Sequence, residues 1–136
     1  MRWRKMNKIR KFLNSIYLGD RYCEKIDIRD DKIYIQINCI SRIEEGTEEW
    51  NFYSQKDIKH GYLVFDGVCE YCFSTNLLFN DEIYEICVIN KKDDIYDFVV
   101  YGNNISNEAV STDLELRIKA REFYIIDSID NSHINE

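Results

Sequence analysis

A chain of 136 residues with 45% hydrophobic and 14% aromatic residues holds enough apolar surface for one packed core, which excludes an intrinsically disordered segment. It has no proline and only five glycines, which excludes a linker or low-complexity tract. Its formal net charge of −7 is unevenly spread: residues 1–19 carry six basic residues and no acid, and the remaining 12 basic and 25 acidic residues leave residues 20–136 at −13, a balance that excludes general nucleic-acid binding.

In chain order, Trp3, Met6, Ile9, Phe12 or Leu13, and Ile16 with Tyr17 recur every three or four residues, which predicts an amphipathic helix over residues 1–19. Gly19 is its expected stop, because glycine adopts the left-handed conformation that ends helices. The basic side of this helix is read as a solvated face rather than a membrane or nucleic-acid contact.

The stretch Lys32 to Ile40 sets the pattern for the rest. Ile33, Ile35, Ile37 and Cys39 alternate with Tyr34, Gln36 and Asn38, so a strand here turns one apolar stripe inward. Tyr22 to Ile28 precedes it across the short polar turn Arg29 to Asp31, which predicts a β-hairpin. After the acidic run at 41–49 and Trp50, Phe52 and Tyr53, further strands are expected at Tyr62 to Val68, with Gly67 marking a bulge, and at Cys69 to Phe73. Ile83 to Ile89 and Ile95 to Tyr101 flank a second hairpin tip, Asn90 to Asp94.

Gly102 to Thr112 is polar and predicts a loop, with a helical turn available at Asn107 to Ser111. Leu114, Leu116, Ile118 and Ala120 then alternate cleanly with charged residues, and Phe123 to Ile126 extends the run past a bend. The expectation is one domain of α+β class. Its N-terminal helix packs on a curved, mostly antiparallel meander sheet or partly open barrel of six to eight strands over residues 20–126, and residues 127–136 form a frayed tail.

Chemistry is thinly represented. The five cysteines, Cys23, Cys39, Cys69, Cys72 and Cys87, are odd in number, and no signal peptide or 18-residue apolar run precedes or joins them; reduced thiols in the cytoplasm are the expectation. Cys69 and Cys72 have C-x-x-C spacing, but their strand-like flanks turn residues three apart to opposite faces, so neither a redox pair nor a metal site is expected. Only His60 and His133 are available as imidazole bases, and no nucleophile elbow, phosphate loop or metalloprotease motif occurs, so no catalytic residue and no cofactor is assigned.

The best candidate surface is Glu44 to Tyr53, where Glu44, Glu45, Glu48 and Glu49 adjoin Trp50, Phe52 and Tyr53. Aromatic anchors ringed by carboxylates suit a protein partner, giving apolar contact area and rapid encounter with a basic surface. The bland alternative is a solvated hairpin tip with its aromatics turned into the core. A small-molecule site on the concave face of the sheet is the runner-up function.

The order helix, Tyr17-Leu18-Gly19-Asp20, strand pair, Leu63 to Val68 and Leu114 to Ala120 resembles small uncharacterised bacterial proteins, some grouped with the immunity proteins of polymorphic toxin systems. The resemblance implies a non-enzymatic, β-rich binding protein that neutralises a cognate toxin domain by occluding it. It transfers no functional residue.

Overall fold

The structure is a computed structural model and describes residues 2–42 and 57–135. These form one helix and twelve strands, and every strand pair among them is antiparallel.

The helix α1, Arg2–Asn14, is shorter than the apolar spacing implies. Ser15 closes its last turn, with its N–H donating to the carbonyls of Lys11 and Phe12 and its hydroxyl donating to Phe12 at 2.6 Å. The next residues, Ile16–Tyr17, are already strand β1, so Gly19 does not end the helix. Its role is to admit the Tyr17 ring, whose hydroxyl oxygen lies 2.6 Å from where a Cβ on residue 19 would sit. Phe12 and Leu13 are buried, and Phe12 stands 5.7 Å from the ring of Phe123.

The hairpin of β2, Cys23–Arg29, and β3, Lys32–Ile37, turns at Asp30, which has φ 55°. Ile33, Ile35 and Ile37 are fully buried, as the alternation demands. The stripe then slips. Asn38 leaves the ladder, its N–H donating to Tyr22, its carbonyl accepting from His60 and its side-chain oxygen accepting from the Tyr22 N–H. In β4, Cys39–Arg42, it is Ile40 and not Cys39 that is fully buried. The remaining strands are β5 Ile58–Lys59, β6 Tyr62–Asp66, β7 Glu70–Phe73, β8 Ile83–Lys92, β9 Ile95–Ile105, β10 Ser111–Ala120, β11 Glu122–Ile126 and β12 His133–Ile134.

They build three sheets instead of one meander: β1-β4-β5, β7-β10-β9-β8 and β12-β11-β6-β3-β2. The two larger sheets share a corner. β6 bends into β7 at Gly67, where φ is +68°, and β10 bends into β11 at Arg121, whose side-chain carbons lie 3.0 Å from where a Cβ on Gly67 would be. Backbone bonds from Arg121 to Asp66 and from Cys69 to Lys119 carry the pairing round the bend. At the far edges the Tyr22–Glu82 bridge and a backbone bond from Cys23 to Asp81 link the sheets, and no barrel closes among the described residues.

The core lies between these sheets. Phe65, Phe98 and Phe123 form a triangle with centroids 5.0 to 6.0 Å apart, surrounded by Ile35, Leu63, Val100, Leu116, Ile118 and Ile125. Aromatic rings at this spacing add about 0.5–1.5 kcal/mol per pair to their burial.

Two polar stretches depart from expectation. Residues 102–105 and 111–112, predicted as loop, are paired strand. The segment 74–82 docks beside them through Asn104 to the Leu78 carbonyl at 2.8 Å, Asn80 with Ile105 in both directions, and Asn103 with Glu82 and Asp81. Asparagine side chains on both the strand and the crossing segment thus satisfy backbone groups across the contact. The predicted helical turn at Asn107 to Ser111 is instead a tight turn closed by backbone bonds between Ser106 and both Ala109 and Val110, with Ala109 at φ 63° and Ser111 already in β10. Residues after Ile126 do not fray either, since β12 pairs with β11 and Asp127 is buried. The described chain is therefore α+β, dominated by antiparallel sheet, with one short helix.

Candidate functional site

The predicted binding residues Glu44, Glu45, Glu48, Glu49 and Trp50 lie outside the described residues. Both stems of their segment are described, and the small β1-β4-β5 sheet joins them. Ile40 pairs with Ile58, and both side chains enter the core. One residue beyond that pair, the Ser41 hydroxyl, 1% exposed, donates to the Asp57 carboxylate at 2.8 Å and accepts from the Arg21 guanidinium at 2.8 Å. The Arg21 Nε is also sealed from water, without a hydrogen-bond partner among the described residues, and its guanidinium lies 5.5 Å from the centre of the Tyr17 ring.

Arg42, the last described residue before the segment, donates to the Ser15 hydroxyl at 3.1 and 3.3 Å and lies 5.0 Å over the Phe12 ring. Burial lowers its pKa from the usual guanidinium value, though it remains charged at any physiological pH. Two arginines, two serines and an aspartate therefore fasten the segment's ends to the helix terminus and to each other. The Ser41–Asp57 contact has no imidazole beside it, because the His60 ring nitrogen contacts Glu24 at 2.6 Å and His133 stacks on Tyr124 at 4.4 Å. What the arrangement does chemically is hold position: a buried hydroxyl ties a cation to an anion and fixes where the segment leaves and rejoins the fold.

No motif signals this cluster. Arg21, Ser41 and Asp57 are separated by 20 and 16 residues and meet only because β1, β4 and β5 pair. The only local sign was a serine directly after an apolar strand position.

The other sequence candidates separate in space. The Cys69 thiol donates to the Lys119 carbonyl and the Cys72 thiol to the Phe73 carbonyl, so the two do not engage each other. Cys69 and Cys72 are exposed and free. Burial pushes the Cys23 thiol up to about 12, and burial with the Glu85 side chain pushes Cys87 up to about 11. Among the described residues, no three His, Cys, Asp or Glu side chains are grouped to hold a metal ion, and no helix is long and apolar enough to cross a membrane.

Open clefts mark the surface of the described residues. One, about 310 Å³, lies between α1 and β8 over Leu13, Ile16, Ile86 and Val88, with Arg10 and Glu85 also lining it. Another, about 250 Å³, lies between the β2–β3 turn and β7, lined by Ile28, Lys32, Val68 and Tyr71. The space between the large sheets is filled by the aromatic triangle.

Neither the curated proteins nor the solved structures provide a significant match to this sequence. Residues 6–136 do match a family of unknown function, DUF6258, and with nearly the whole chain covered, this protein belongs to that family.

Proposed function

We propose that this chain is a non-enzymatic protein-binding module whose role is to neutralise a cognate toxin domain by occlusion. The observation that carries the reading is the Arg21–Ser41–Asp57 clasp, which gathers both ends of the acidic, aromatic segment onto one small sheet. A segment tethered at both ends loses less conformational freedom when it captures a partner, so more of its contact energy appears as affinity. Glu44, Glu45, Glu48 and Glu49 meet lysine and arginine on the partner, and Trp50 supplies apolar area that excludes water from those contacts.

The filled core supports a surface role over a ligand held on the concave face of a sheet. The free state of all five cysteines suits a reducing cytoplasm, the setting proposed for this activity.

The test is co-expression with the product of the neighbouring gene. The expected result is protection of growth and a co-purifying complex. In the variant with Glu44, Glu45, Glu48 and Glu49 all changed to Gln, association at low salt slows by about tenfold or more, as loss of electrostatic steering requires. Trp50→Ala accelerates dissociation instead. A complex whose association rate ignores the four glutamines, or the absence of both protection and complex, overturns the proposal.

A further inference from the structure

β2 ends the five-stranded sheet, with β3 on one side and, past the Tyr22–Glu82 bridge, no strand among the described residues on the other. The hydrogen-bonding phase of this open edge follows from its neighbours. The Ile37 N–H donates to the Gly61 carbonyl, so odd-numbered residues of β3 bond towards β6 and the even-numbered Lys32, Tyr34 and Gln36 bond towards β2. Their register partners Arg29, Asp27 and Lys25 therefore direct their backbone groups to β3, and Ile26 and Ile28 present theirs to the open edge. Ile28 is 38% exposed and Ile26 is half-buried.

We infer that this edge docks a second copy of the chain, by antiparallel β2–β2 pairing about a two-fold axis through Ile26. The charge pattern of the strand selects the partner and the register. With Ile26 opposite its own copy, Lys25 of each chain faces Asp27 of the other, twice, in the non-hydrogen-bonded positions where cross-strand side chains approach most closely. Centring the pair on Lys25 sets lysine against lysine. Centring it on Asp27 sets aspartate against aspartate and Lys25 against Arg29.

Charged residues on an open strand usually prevent edge-to-edge pairing, because like charges meet. In the Ile26 register each lysine meets an aspartate instead, and the same charges that repel other registers favour this one. Asp27 has room for the contact, since Arg29 engages its Oδ2 at 2.9 Å and its Oδ1 faces no cation within salt-bridge reach among the described residues. The register irregularity between Cys23 and Lys25 ends the regular edge there, so the junction is short and the dimer weak and concentration-dependent.

Sedimentation equilibrium of the full chain at low ionic strength, across a wide concentration range, tests the inference. The expected result is a monomer–dimer equilibrium that Lys25→Asp and Asp27→Lys each weaken by about tenfold or more, because each places like charges opposite twice. The double variant Lys25→Asp, Asp27→Lys regains the dimer, and so does an equimolar mixture of the two single variants, which restores both opposite-charge pairs as a heterodimer. Circular dichroism establishes that each variant is folded. A chain that stays monomeric throughout, a dimer indifferent to the single reversals, or single variants whose mixture does not associate overturns the proposal.

Discussion

Phe79 occupies the space that a side chain on residue 102 would need. A Cβ built on Gly102 would lie 2.7 Å from the Phe79 ring and 2.5 Å from the Glu82 carbonyl oxygen. The glycine lets the segment joining β7 to β8 lie against β9, and the ring, 3% exposed, joins the core beside Phe73 at a centroid distance of 6.0 Å. Gly102→Ala is expected to cost about 1–3 kcal/mol by overpacking, and Phe79→Ala about 3–5 kcal/mol by leaving a cavity. In urea denaturation the double variant costs less than the sum, since removing the ring relieves its share of the crowding and leaves only the Glu82 carbonyl contact; strict additivity would show that the two residues do not share this space.

The C-terminal residues are structural. The Asp127 carboxylate accepts from the Ile129 N–H at 2.9 Å, its backbone bonds with Asn131 and Ser132, Ser128 donates to the Lys59 carbonyl, and His133 covers the Tyr124 ring. Truncation after Ile126 is expected to lower stability by about 1–3 kcal/mol through lost hydrogen bonds and exposed backbone, and to speed amide exchange in β11. Unchanged stability would mean that this segment does not hold the edge.

Thiol chemistry sorts the cysteines by burial. At mildly alkaline pH a disulfide reagent is expected to modify Cys69 and Cys72 in the folded protein, and Cys23 and Cys87 only slowly, because their thiolates are disfavoured. The same shift has a stability consequence. Cys23 is raised from an ordinary value near 9 to about 12, so the unfolded chain releases this proton first. The stabilising contribution is complete below pH ~9 and declines as pH rises towards 12. Cys23→Ala should flatten that part of the stability–pH curve; an unaltered slope would assign the decline to other groups.

The α+β class, the strands over Ile33 to Ile37 and Leu114 to Ala120, and the bend before Phe123 were legible from the sequence because side-chain alternation is a local property of an extended chain. The slip at Asn38 was not, since Ile40 replaces Cys39 in the core only because Asn38 bonds to Tyr22 and His60. Nor was strand at 102–105, whose polar residues are justified by contacts with residues 25 and 26 positions earlier in the chain. The sequence singled out the acidic and aromatic composition of 44–53 by itself. That Arg21, Ser41 and Asp57 clasp the ends of this segment was decided by the pairing of β1, β4 and β5, because contacts between residues far apart in the chain depend on sheet order, which no local periodicity encodes.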